Sequence, residues 1–112
     1  MKDKLPSLSA RETSAIVALI EAGGESYGVP LHERVSELEG RDTSIGAVYA
    51  ALHRLTDKGL VTARLGESSH ERGGRAKRYF QLTAEGYSAA RETYRRAASA
   101  VAILDASGLG VS

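Results

Sequence analysis

Residues 43–65 decide the fold: Thr43-Ser44-Ile45-Gly46-Ala47-Val48-Tyr49-Ala50-Ala51-Leu52-His53-Arg54-Leu55, then Thr56-Asp57-Lys58-Gly59, then Leu60-Val61-Thr62-Ala63-Arg64-Leu65. Up to Gly59 the apolar residues recur at helical spacing, with Ile45, Val48, Leu52 and Leu55 predicted to point inward from a helix that begins near Thr43 or Ser44. After Gly59 the pattern shortens to that of a strand over Leu60–Leu65. A polar, glycine-containing loop over Gly66–Arg75 leads to a second strand over Ala76–Leu82, so the pair forms a hairpin with a long basic tip. A helix feeding directly into such a hairpin is half of a recognisable plan.

The flanks supply the other half. Ser9 followed by Glu12 is a capping box. Behind it Ile16, Leu19 and Ile20 make an apolar stripe that ends at Gly23-Gly24. A second helix is expected from about Ser26, with Tyr27, Leu31, Val35 and Leu38 on one face, Pro30 in its first turn, where loss of one amide matters least, and Gly40 as its stop. Thr83 can cap a last helix running to about Ala106, stopped by Ser107-Gly108. Helix, helix, helix, hairpin, helix gives a mainly α chain with a small β-hairpin, the winged helix-turn-helix plan followed by a C-terminal helix. The expected division is a tail over residues 1–8, the winged helix-turn-helix over 9–82, a dimerisation helix over 83–106 and a tail over 107–112.

Composition narrows the function. A chain of 112 residues holds one core, and with no cysteine it has neither a disulfide framework nor a thiol nucleophile nor a Cys-ligated metal. The longest run free of charged residues is the 11 residues Thr43–His53, well short of the roughly 18 a membrane helix needs. The start lacks the apolar segment of a signal peptide, and a soluble, cytoplasmic protein is expected. The net charge of +1 hides an uneven distribution: residues 41–82 carry 8 basic against 4 acidic groups, whereas residues 1–40 carry 4 against 7. A basic middle is the electrostatic footprint expected of a nucleic-acid binder, although a merely solvated surface of this asymmetry is as common.

The outward side of the third helix is unusual. At 100° per residue, Thr43, Gly46, Ala47, Ala50 and Arg54 lie opposite the apolar stripe, with Tyr49 and His53 at the border. A solvated face would carry long charged side chains. Small ones let the backbone approach another surface, either the major groove of DNA, about 12 Å wide, or a second protein helix.

These residues resemble a family. Tyr27-Gly28, the run Ser44–Leu55, Lys58-Gly59-Leu60-Val61, and Arg75-Ala76-Lys77-Arg78-Tyr79-Phe80-Gln81-Leu82-Thr83 with Gly86 are similar to the PadR family of bacterial transcriptional regulators, over about residues 8–104. The resemblance implies a homodimeric winged-helix repressor that binds double-stranded DNA at an inverted-repeat operator and is released by a small molecule or other cue. The single short C-terminal helix resembles the small subfamily. Some short members hold planar drugs between tryptophans at the dimer interface; this chain has no tryptophan, so the effector class does not carry over.

The expected DNA-binding residues are Thr43, Ser44, Gly46, Ala47, Tyr49, Ala50 and Arg54 from the helix, and Arg72, Arg75 and Lys77, near His70, from the wing. Tyr49 resembles the family tyrosine that touches phosphate, and its border position equally suits packing. Arg78 suits either the wing or a pair with an acid beneath the sheet. The expected dimer seam is Tyr87, Ala90, Tyr94, Ala97, Val101 and Leu104, two series spaced by seven along the last helix. A ligand-sensing dimer with a pore lined by Tyr87 and Tyr94, and an interaction module that never meets DNA, are the competing readings. The three histidines have no i, i+3 or i+4 partner, so neither a metal nor any other cofactor is expected. There is no phosphate loop, nucleophile elbow or H-E-x-x-H, so no enzyme is expected.

Overall fold

The computed structural model describes residues 5–66 and 76–110. Its elements run α1 (Ala10–Glu21), β1 (Glu25–Tyr27), α2 (Gly28–Glu39), α3 (Ile45–Asp57), β2 (Val61–Leu65), β3 (Arg78–Leu82) and α4 (Ala84–Ser107). The expected plan holds, with one addition. Where the sequence suggested that a helix starts near Ser26, Glu25–Tyr27 is a strand on the outer side of β3, giving a three-stranded antiparallel sheet in the order β1-β3-β2. Gly23 and Gly24 adopt φ of 93° and 103°, and this turn brings the next three residues alongside Gln81–Tyr79. A three-residue strand is too short to show an alternation in sequence.

The helix boundaries follow local chemistry. The Ser9 hydroxyl accepts the Glu12 N–H at 3.1 Å while Glu12 Oε1 accepts the Ser9 N–H at 2.7 Å, the reciprocal capping box. Gly40 closes α2 in the left-handed conformation at φ 72°. Ser44 caps α3 by accepting the Ala47 N–H at 3.1 Å, and Thr83 caps α4 by accepting the Gly86 N–H at 3.0 Å.

The core lies between α1, α2, α3, the inner face of the sheet and the first turns of α4. It contains Ile16, Leu19, Leu31, Val35, Val48, Leu52, Leu55, Leu60, Val61 and Phe80. Three residues assigned inward from periodicity lie outside it: Ile20, Leu38 and Ile45 are 43%, 38% and 43% exposed. Each sits at the end of its helix, where the facing layer has run out.

α4 divides sharply. Ala89 and Ala90 are buried in the chain's own core, whereas Tyr94, Val101, Ile103 and Leu104 are exposed. Ala90 was expected in a seam facing a partner; α4 passes α1 at this height, and the chain's own helices enclose it. No helix among the described residues is long and apolar enough to cross a membrane.

Candidate nucleic-acid interface

The outward face of α3 is built of small residues held by a rigid base. Ser44, Gly46 and Ala50 are exposed, Ala47 is half-buried, and Val48, Ala51, Leu52 and Leu55 fix the opposite side in the core. A Cβ on Gly46 would meet nothing within 4 Å, so the space in front of this turn is open. His53 and Arg54 bring the first long polar side chains, at the C-terminal end.

A hollow of ≈ 450 Å³ flanks α3 on the wing side, lined by Tyr49, Tyr27, Gly28, Lys77 and Arg78 among others. Tyr49 is half-buried: its ring packs on Phe80 with centroids 6.2 Å apart, and its hydroxyl lies against Gly28. A Cβ on Gly28 would stand 1.8 Å from that oxygen, so the first residue of α2 must be glycine for Tyr49 to take this place. No side chain caps the N-terminus of α2, whose first residues Gly28 and Val29 line this hollow, so the partial positive charge of a helix start lies beside it. Lys77 Nζ stands 4.2 Å over the Tyr27 ring, Tyr27 packs on Tyr79 at 5.5 Å, and Arg64 stands 4.8 Å over Tyr79, so that two stacked rings are flanked by a cation at each end. Arg64 is also paired with Glu25 at 3.0 Å. Arg78 is exposed and forms no ion pair among the described residues, so the expected acid beneath the sheet is not found there. Arg72, Arg75 and His70, expected at the wing tip, lie outside the described residues.

On the other side of α3 a groove of ≈ 630 Å³ is lined by Arg11, Arg41, Arg54 and Glu39, with Ser9 and Ser14. Arg11 is bidentate on Glu39 at 2.9 and 3.1 Å, and Arg41 approaches the same carboxylate at 3.8 Å. Thr43 was expected on the outward face. It is buried instead at 6% exposure: its N–H donates to Ser36 Oγ, its hydroxyl to Glu39 and its carbonyl accepts from His32 Nε2. The residue before the cap must turn inward to join the two helices, and its side chain is spent there.

Arg54 has a partner that the sequence did not disclose. Its Nε donates to Glu12 Oε2 at 3.1 Å, and Lys58 Nζ donates to both Glu12 oxygens at 2.9 and 3.0 Å and to the Ser7 carbonyl at 2.8 Å. Glu12 is 1% exposed. Burial works against its ionisation, but hydrogen bonds from Lys58, the Ser9 amide and Arg54 outweigh it and hold the carboxyl below its ordinary range. The N-terminus of α1 and the C-terminal turns of α3 are thus locked through one carboxylate. Arg54 remains half-exposed beside the groove.

Sequence reasoning assigned no site role to Arg11, Arg41, Lys58 or Gly28, although Gly28 and Lys58 stand in the stretches that resemble the family. Gly28 left a further signal, since glycine is a poor choice inside a helix unless something needs the space. The Arg11–Glu39 and Glu12–Lys58 pairs join residues 28 and 46 apart, which no periodicity reveals.

Residues 16–92, more than half of the chain, match the Transcriptional regulator PadR-like family. The chain belongs to the PadR family. Solved structures agree on the fold. A transcriptional regulator from Clostridium thermocellum superposes with TM-score 0.70 at 19% identity, covering 91% of this chain and 90% of that one. A PadR family regulator from Eggerthella lenta gives 0.65 at 22%, covering 91% and 86%. A PadR-like regulator from Bacillus cereus gives 0.65 at 21%, covering 87% and 91%. No curated protein matches the chain. The PadR family is one of transcriptional regulators and not of enzymes, and the chain is a transcriptional regulator of winged-helix fold.

Proposed function

We propose that this PadR protein is a sequence-specific repressor that binds an inverted-repeat operator as a homodimer and is relieved by a small effector. The observation that carries DNA binding is the small outward face of α3, formed by Gly46, Ala47 and Ala50, lying between two hollows lined by cations. A helix without long side chains can sit deep in the major groove, and cations on both sides fall where the phosphate backbones pass. Ser44, Tyr49 and Arg54 from α3, Lys77 and Arg78 from the wing and Arg41 from the other groove are the contacts this arrangement supports. For Tyr49 the hydroxyl beside the start of α2 suits a phosphate, and its ring also anchors α3. Arg72 and Arg75 belong to the same proposal on sequence grounds.

The dimer is supported by α4, whose exposed Tyr87, Tyr94, Val101 and Leu104 form an apolar stripe with Ala97 between them. A second copy of this helix, running antiparallel, would cover the stripe and set two α3 helices about one DNA turn apart. An effector would enter at this seam beside Tyr87 and Tyr94 and release DNA by changing that spacing. Such a regulator acts in the cytoplasm. The test is a mobility shift with the DNA upstream of its own coding region at two salt concentrations: retention that weakens steeply with salt supports the reading, and no retention at either salt overturns it.

A further inference from the structure

We propose that Ile45 reads a thymine C5-methyl in the major groove and so specifies an A·T pair in each half-site; the proposal rests on DNA binding through α3. Ile45 is the first residue of α3 and is 43% exposed, whereas the helix's other large aliphatic residues, Val48, Leu52 and Leu55, are at most 1% exposed. The side chain is therefore free at the end of the helix whose counterpart in helix-turn-helix proteins touches base edges.

The polar side chains nearby each make a contact within the protein. Thr43 is buried and bonded to Glu39, the Ser44 oxygen already accepts the Ala47 N–H, the Tyr49 hydroxyl abuts Gly28, and Arg54 is held by Glu12 two turns further along. Ile45 stands at the edge of a low face: a Cβ on Gly46 would meet nothing within 4 Å, and Ala50 carries a single methyl. On that low face an exposed isoleucine at the start of the helix is placed to meet a base edge. Of the base edges in the major groove, only thymine presents a methyl, and apolar contact is how it is read. Branching at Cβ holds isoleucine nearly in one rotamer, so little order is lost when it docks.

The test is a selection from a random-sequence duplex pool, followed by replacement of each thymine in the selected site by deoxyuridine, which removes only the methyl. Binding is measured with the wild-type protein and with Ile45→Ala. The expected result is one thymine per half-site at which deoxyuridine weakens wild-type binding about fourfold, the transfer value of one buried carbon group, and about fifteenfold when both half-sites are changed. Ile45→Ala should bind the thymine and deoxyuridine sites alike. Because Ile45 is exposed and alanine is the better helix former, the variant should keep its circular dichroism and melting temperature. Selected duplexes in which deoxyuridine costs the wild type and Ile45→Ala the same at every position would overturn the proposal while leaving DNA binding intact. Selection that retains no duplex even at low salt would overturn the proposed function and this inference with it.

Discussion

α3 and the C-terminal half of α4 carry similar helical stripes, and the chain treats them oppositely. α3 is clamped on every side except the one facing out: its stripe lies in the core, Tyr49 fixes its wing side against Gly28 and Phe80, and Glu12 ties Arg54 and Lys58 on the other. α4 leaves the body after Ala90, and no later residue described on it is buried. A stripe says which face of a helix is apolar. What covers that face depends on the neighbours the topology supplies. A clamped helix suits reading a fixed surface such as DNA, and an uncovered one suits a partner.

The sharpest break of this contrast is Val101→Glu. It puts a carboxylate into the apolar stripe, where burial against a second copy costs several kcal/mol unless the helices part. The expected outcome is a monomer in sedimentation at micromolar concentration, with operator affinity down by roughly a hundredfold or more because the second half-site is no longer bound intramolecularly. A variant that stays dimeric would place the interface elsewhere. Gly28→Ala attacks the wing-side clamp on α3. Its Cβ would lie 1.8 Å from the Tyr49 hydroxyl, and such overpacking costs about 1–3 kcal/mol in thermal or urea unfolding. The same change in a Tyr49→Ala background should cost almost nothing, and equal costs in both backgrounds would show that the two residues are uncoupled.

The other clamp is electrostatic. Glu12→Gln leaves Arg54 and Lys58 without their carboxylate, but both cations are partly exposed and water takes over much of the loss, so about 1–2 kcal/mol is expected. The sign with pH follows from the lowered carboxyl value. The contribution is fully present above about pH 4.5 and is lost as pH falls through the lower folded-state value. Glu12→Gln should therefore flatten the acid limb of the stability curve; an unchanged limb would remove Glu12 from the account. The smallest effect is Lys77→Gln, which should lower the slope of log affinity against log salt by about 0.9 and weaken all sequences alike. An unchanged slope would mean that Lys77 serves the Tyr27 ring alone.

What the sequence discloses and what it hides divide along the same line. The capping box, the glycine stops and the change of period at Gly59 are local, and each element they announce is present. β1 was hidden because three residues cannot show a period, and it exists because β3 offers an open edge. The small face of α3 was visible as a pattern. Thr43 lies before the Ser44 cap, where the 3.6-residue wheel does not apply, and it turns inward; Ile45 is in the helix but stands where the facing layer has run out, and so it is exposed. The hold on Arg54 was hidden because Glu12 lies 42 positions away, and a capping residue gives no sign that it also receives two cations.

Ala50→Glu tests the central claim, that the small face of α3 meets DNA, most directly. Ala50 is exposed, and glutamate is also a good helix former, so fold and dimer should be retained. In a mobility shift beside the wild type, the account predicts loss of detectable binding, since the new carboxylate would face phosphates and base edges at close range. Native circular dichroism together with unchanged affinity would contradict it.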